Sequence, residues 1–191
     1  MQLYLIRHPT PQVAAGVCYG RTDLPLAEEV AAAAARIMEQ LPPDLPVYTS
    51  PLQRCRQLAD ALHPAPRSDP RLLEMNFGAW EMLPWNQIQR EALDGWAADP
   101  LGYAPPQGES AGQLQERVLS FVMETRRQGL ERAVLVAHAG VMKVIVGHVE
   151  GLPARQWMAL KFDYESVVCV DIANPEISHR GIPSSPEGTR T

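Results

Sequence analysis

Four short apolar runs constrain the fold of this 191-residue chain more than any other feature: Leu3-Tyr4-Leu5-Ile6, Pro46-Val47-Tyr48, Ala133-Val134-Leu135-Val136-Ala137 and Val167-Val168-Cys169-Val170. None shows the strict apolar–polar alternation of a strand with one wet face, so each is expected as a strand buried on both faces of a mostly parallel sheet. Helical spacing fills the intervals. Val30, Ala34, Ile37, Met38 and Leu41 share one face, as do Leu52, Cys55, Leu58, Ala59 and Leu62, and Leu114, Val118, Phe121, Val122 and Thr125. Strands alternating with helices predict an α/β fold, a three-layer sandwich with helices on both faces of a central sheet. Residues 1–173 are long enough to bury one domain's core, whereas residues 174–191 carry Pro, Ser and Gly with little to bury and are expected as a flexible tail.

Two helix starts are legible. Ser50-Pro51-Leu52-Gln53 reads as Ser at the N-cap, Pro at the first helical position and Gln closing a capping box. Ser110-Ala111-Gly112-Gln113 repeats the pattern, with Gly129 as the stop. The second of these lies inside Gly108-Glu109-Ser110-Ala111-Gly112, which matches the Gly-x-Ser-x-Gly turn of esterases. The match fails on context: Pro105-Pro106 stands just upstream, where that turn requires a central strand, and proline does not sit in one. Ser110 as a cap explains the same residues.

Lys and Arg number 17 against 22 Asp and Glu, a net charge of −5, and no basic block is present to neutralise a nucleic-acid backbone or meet an anionic membrane. The N-terminal apolar run is cut at Arg7 and lacks a basic leader, so the expected location is the cytoplasm. Cys18, Cys55 and Cys169 are odd in number and far apart, which predicts packed thiols rather than disulfides or a zinc site. His63, His148 and His179 stand outside every motif and are expected to be structural or exposed, while Trp80, Trp85 and Trp96 are expected in the core or a pocket wall. The oligomeric state is left open, a homodimer among the options.

In a sheet covered by helices, the ligand crevice lies beyond the carboxyl ends of the strands. Arg7 and His8 end the first strand, Arg54 falls in the first turn of the helix after the second, and His138 follows Ala137. Helix side chains tilt toward the N-terminus, so Arg54 leans back to a place the helix dipole already makes attractive to anions. Two His and two Arg, without a P-loop or a carboxylate cluster for magnesium, point to a phosphoryl site that uses neither metal nor cofactor. Guanidinium groups match phosphate oxygens and keep their charge, while a neutral imidazole can attack phosphorus in line. A carboxyl group must then protonate the leaving oxygen. Glu74, set among apolar residues, is the candidate, with Glu81 as the fallback.

Leu5-Ile6-Arg7-His8, Thr49-Ser50-Pro51-Leu52-Gln53-Arg54-Cys55, Glu74 with Phe77-Gly78-Ala79-Trp80-Glu81, Gly108-Glu109-Ser110 and Ala137-His138-Ala139-Gly140 resemble, in order and spacing, the histidine phosphatase (phosphoglycerate mutase-like) superfamily. The resemblance runs from about residue 2 to residue 170. It implies that fold, a small phosphomonoester as substrate, His8 as the phosphorylated nucleophile, and Arg7, Arg54 and His138 as the phosphate pocket. Glu74 would protonate the leaving group and then activate water. Residues 16–26, Gly-Val-Cys-Tyr-Gly-Arg-Thr-Asp-Leu-Pro-Leu, resemble the alpha-ribazole phosphatases of cobalamin nucleotide-loop assembly, which implies that Gly20 and Thr22 lie near the substrate. The chain departs from the family's pattern at Pro9, Pro11, Ala14, Met82 and Ala139. Pro11 and Ala14 stand where mutases carry Ser and Asn, so a mutase ranks below a sugar-phosphate phosphatase as an alternative. A non-catalytic module that binds a phosphorylated ligand is the reading from a different class.

Overall fold

The computed structural model describes residues 1–172, and the expected tail and His179 lie outside the described residues. The elements run β1 (Gln2–Arg7), α1 (Val30–Met38), β2 (Val47–Thr49), α2 (Gln53–Leu62), β3 (Arg67–Ser68), α3 (Arg90–Ala98), α4 (Ala111–Arg127), β4 (Arg132–Ala137), α5 (Ala139–Val149), α6 (Ala154–Ala159) and β5 (Val167–Asp171). Short 3₁₀ turns at Pro70–Leu72, Gly78–Trp80 and Trp85–Gln87 bridge β3 to α3. The sheet order is β3-β2-β4-β1-β5. β1, β2, β3 and β4 pair in parallel, and β5 closes the β1 edge antiparallel. All four apolar runs fall in strands, but the last is not buried on both faces as expected: β5 is the antiparallel edge, none of its residues is buried, and Cys169 is exposed rather than packed.

The pleat sorts these runs between two layers. Leu3, Leu5, Ala133, Leu135 and Ala137 pack with Leu114, Val118 and Phe121 of α4, Met142 and Ile145 of α5, and Trp157 of α6. The alternate residues Ile6, Val134 and Val136, with Val47, pack with Ala34 and Ile37 of α1 and Cys55, Leu58 and Ala59 of α2. Leu3, Leu5, Ile6 and Leu135 are each at most 1% exposed, and burying such a side chain contributes about 1.5–3 kcal/mol. A third cluster, Cys18, Trp80 and Ile88 with Phe77, Trp85 and Trp96 against it, gathers the loop after β1 and the 3₁₀ turns.

The second helix start is as the sequence reads: Ser110 Oγ accepts from the Gln113 N–H at 3.2 Å and Gln113 Oε1 accepts from the Ser110 N–H at 2.8 Å. Gly129, at φ +76°, adopts the left-handed turn that ends α4. The first start differs. α2 begins at Gln53 with Leu52 at its cap and no side-chain capping bond; Ser50 Oγ lies 2.8 Å from His138 Nε2 and accepts from the Leu52 N–H at 3.4 Å instead of from Gln53. Asp23 takes over part of the capping by accepting from the Gln53 N–H at 2.8 Å.

Candidate active site

The carboxyl ends of β1 and β4 lie side by side, with Arg7 paired to Ala137. The next residue of each strand is a histidine, so His8 and His138 meet with ring centroids 5.1 Å apart and edge-on. His8 is 2% exposed and His138 fully buried. His8 Nδ1 lies 2.7 Å from the Pro9 carbonyl. A carbonyl only accepts, so Nδ1 carries the proton and Nε2 keeps its lone pair. Pro9 thus fixes the tautomer with the group it has, and its missing N–H is not needed for this. Burial, reinforced by the Arg54 and Arg7 charges, pushes the His8 pKa down to about 3, although the bond to Pro9 works in the other direction. Nε2 is therefore neutral and available at physiological pH.

Two guanidinium groups flank it. Arg54 is fully buried and donates from Nε to His8 Nε2 at 3.3 Å, from Nη1 to the Thr22 carbonyl at 2.8 Å and from Nη2 to the Gly20 carbonyl at 2.6 Å. Arg7 donates from Nη1 to the Phe162 carbonyl at 2.6 Å and lies 3.8 Å over the Tyr164 ring. Its Nε is buried with no partner among the described residues. Neither arginine forms an ion pair among the described residues, so two positive charges stand without an ion-pair partner beside a neutral imidazole. Such charges attract an anion with several acceptor oxygens. His138 is also neutral: burial, then its closeness to His8 and to the Arg54 guanidinium, holds its pKa well below the ordinary value. Cys55 packs on it, with Sγ 3.5 Å from Nε2, and burial pushes that thiol far up.

Glu74 reaches the same place. It lines, with Arg7, His8, Val17, Tyr19 and Trp85, a cavity of about 180 Å³. Its oxygens accept from the N–H groups of Met75 at 2.9 Å and Gly140 at 3.1 Å. Glu81 is differently occupied: it accepts from the backbone of Arg21, Thr22 and Phe77 and from the Thr22 hydroxyl. Burial opposes its charge, but these bonds outweigh burial and hold its pKa below the ordinary carboxylate value. Glu81 is thereby a tether for residues 20–22, and Glu74 is the carboxyl group at the cavity.

Arg7, His8, Arg54, Glu74 and His138, read from the sequence as one site, are thus brought together. Gly20 and Thr22 lie beside it as carbonyl acceptors of Arg54, with the Thr22 hydroxyl given to Glu81. Gly20 is required there, since a Cβ would fall 1.9 Å from the Met75 carbonyl oxygen. Several contributors went unread in the sequence. Tyr19, which lines the cavity, pairs its hydroxyl at 2.7 Å with that of Tyr164, whose ring packs against Arg7 and His8. Arg117 donates to the carbonyls of Arg71, Leu73 and Glu74 and to both oxygens of Glu109. This brace fixes the backbone that carries Glu74. Its available signal was Glu109 itself, a charged residue directly before a helix cap.

No helix among the described residues is long and apolar enough to cross a membrane. The Histidine phosphatase superfamily (branch 1) model matches residues 3–181. The chain is 28% identical over 185 residues to the adenosylcobalamin/alpha-ribazole phosphatase of Escherichia coli, covering 90% of each chain. It is 31% identical over 179 residues to the glucosyl-3-phosphoglycerate phosphatase of Mycolicibacterium vanbaalenii, covering 83% of this chain and 78% of that one. The crystal structure of the alpha-ribazole phosphatase from Shigella flexneri superposes with a TM-score of 0.77 at 27% identity over 91% of each chain. The α/β/α sandwich, the ordered motifs and the match along most of the chain agree: the protein belongs to the histidine phosphatase superfamily, branch 1, and is a hydrolase of phosphate esters.

Proposed function

We propose that the protein removes the 5′-phosphate of alpha-ribazole 5′-phosphate, or of the corresponding adenosylcobalamin 5′-phosphate, through a phosphohistidine on His8. The observation that carries the mechanism is a neutral His8 Nε2 set between the unpaired guanidinium groups of Arg7 and Arg54, with Glu74 at the same cavity. Nε2 attacks phosphorus as the ester P–O bond breaks, and Glu74 in its acid form gives the leaving oxygen its proton. Arg7, Arg54 and His138 hold the phosphoryl oxygens while charge shifts across them. In the second half, the Glu74 carboxylate takes a proton from water, the water oxygen attacks phosphorus, and the N–P bond returns its electron pair to His8. Arg7 and Arg54 supply the charge at the phosphate, so the chemistry needs no metal or cofactor.

The choice of substrate rests on residues 16–26 and on the alpha-ribazole phosphatases among the relatives. A phosphatase for sugar phosphates or other phosphomonoesters is the second reading, favoured by the likeness to the glucosyl-3-phosphoglycerate phosphatase. Phosphate release from alpha-ribazole 5′-phosphate against a panel of sugar phosphates separates the two. The His8→Ala variant should form no acid-labile phosphoenzyme from labelled substrate; label persisting in it overturns the nucleophile.

A further inference from the structure

Arg7 and Arg54 are held in different ways. Arg54 gives Nε, Nη1 and Nη2 to His8, Thr22 and Gly20, and a guanidinium bonded at all its nitrogens has little freedom left. Arg7 donates from Nη1 to the Phe162 carbonyl at 2.6 Å, while its buried Nε has no partner among the described residues. What closes on Arg7 instead is an aromatic face: its guanidinium lies 3.8 Å over the Tyr164 ring. The same ring stands 5.7 Å from that of His8, tilted by 46°. Tyr164 is tied in turn. Its hydroxyl pairs at 2.7 Å with that of Tyr19, and the Arg54 guanidinium lies 5.5 Å over the Tyr19 ring. Each arginine of the site thus stands over a tyrosine, and the two tyrosines are joined.

We infer that Tyr164 is a positioning residue that holds Arg7 in place for the phosphoryl group, with Tyr19 as its anchor, an inference that rests on the proposed function for the phosphate between the two arginines. A phenol ring attracts a guanidinium through its π face. The guanidinium N–H groups lie in its own plane, so stacking leaves them free for phosphate oxygens. A carboxylate in the same place would also hold Arg7, but it would occupy those N–H groups and cancel the charge. Burial, then the bond to Tyr164, pushes the pKa of the Tyr19 phenol up, so Tyr19 adds no negative charge against which an incoming phosphate must compete. Arg7 is the arginine that needs this support. Without the ring, the bond to Phe162 alone would leave a long side chain to be ordered by the substrate, at a cost in affinity.

The test reads the binding of inorganic phosphate to the full chain by titration calorimetry, which needs no turnover and no choice of ester. Arg7→Met should weaken binding by about tenfold or more. Tyr164→Leu should weaken it by about fivefold or more. Tyr164→Phe, which keeps the ring and loses the hydroxyl, should recover most of that loss, a rescue that simple damage to the loop would not give. Tyr19→Phe should match Tyr164→Phe, since each breaks the same hydrogen bond, and unlike losses overturn the anchor. Where Tyr164→Leu does not fold, Tyr164→Met takes its place with the same expectation. Binding in Tyr164→Leu within about twofold of the wild type, or Tyr164→Phe as weak as Tyr164→Leu, overturns the inference. The two levels separate cleanly. If Arg7→Met loses phosphate and Tyr164→Leu does not, the positioning role alone falls; if Arg7→Met binds phosphate as the wild type does, the phosphate site falls and takes the inference with it.

Discussion

Replacing Arg117 by methionine takes away the guanidinium that ties Glu109 to the backbone beneath Glu74. Its bonds run to the carbonyls of Arg71 and Leu73 at 2.7 Å and of Glu74 at 3.1 Å, and to the Glu109 oxygens at 2.5 and 3.1 Å. The pair is largely dry, with side chains 17% and 11% exposed for Arg117 and Glu109. Removing one partner of a fully buried pair costs about 3–5 kcal/mol. Glu109 keeps the Asn76 N–H at 2.9 Å and the more exposed Arg21 at 3.2 Å. Those partners, and the apolar stem that methionine retains, bring the expected loss to about 2–3 kcal/mol. Urea unfolding at constant m reads it directly. Adding Glu109→Gln neutralises the stranded carboxylate and should return about 1 kcal/mol, a coupling a double-mutant cycle isolates. Catalysis should suffer in kcat, by about tenfold, because a loosened Glu74 is misplaced for proton transfer. KM should move less, since Arg7 and Arg54 still hold the phosphate. A loss below about 0.5 kcal/mol, typical of a surface substitution, with kcat intact would refute the brace.

Folded His8 and His138 both have pKa values below the ordinary 6.5, so below that pH the unfolded chain binds the extra protons. Stability should therefore be complete above pH 6.5 and fall as pH drops from there toward His8's value of about 3, by about 1.4 kcal/mol per pH unit and histidine; His8→Asn should flatten the slope by one proton, and an unchanged slope would refute the assignment. Met82 holds φ +66°, a left-handed conformation that glycine adopts without strain, and is 48% exposed. Met82→Gly should raise stability by about 0.5–1 kcal/mol in urea unfolding, with activity retained. Ser110→Ala should cost about 1 kcal/mol through its lost cap and leave turnover unchanged; a stable but inactive variant would return the serine to catalysis. Exhaustive EDTA treatment should leave phosphate release unchanged, and loss restored by added metal would refute the charge-only account of the site.

What was legible in the sequence is what leaves a local pattern. β1, β2 and β4 announced themselves because both faces of their sheet are covered, which demands runs of apolar residues, whereas β5 left an apolar run although, as the antiparallel edge, it buries none of its residues. β3 is two exposed residues, Arg67 and Ser68, and α3 buries none of its residues, so neither needed a pattern and neither left one. Arg7, His8, Arg54 and His138 of the candidate site were readable because strand ends and a helix start position them. The division of labour between Glu74 and Glu81 was not, since the donors that occupy Glu81 come from Arg21 and Thr22, about sixty residues away. Ser50 was misread for a related reason. Its spacing to Gln53 fits a capping box, but its hydroxyl pairs with His138, 88 residues on, and accepts from the Leu52 N–H rather than from Gln53.

The ladder between β1 and β4 also decides which changes this protein can survive. Adjacent strands lie about 4.8 Å apart whatever their side chains, so the 5.1 Å between the two histidine rings is inherited from backbone pairing. Swapping one apolar residue for another inside either strand leaves that ruler untouched. Deleting a single residue from either six-residue strand would slide one histidine by about 3.3 Å and turn it to the opposite face. Over these two segments the protein can drift in composition but is locked in length.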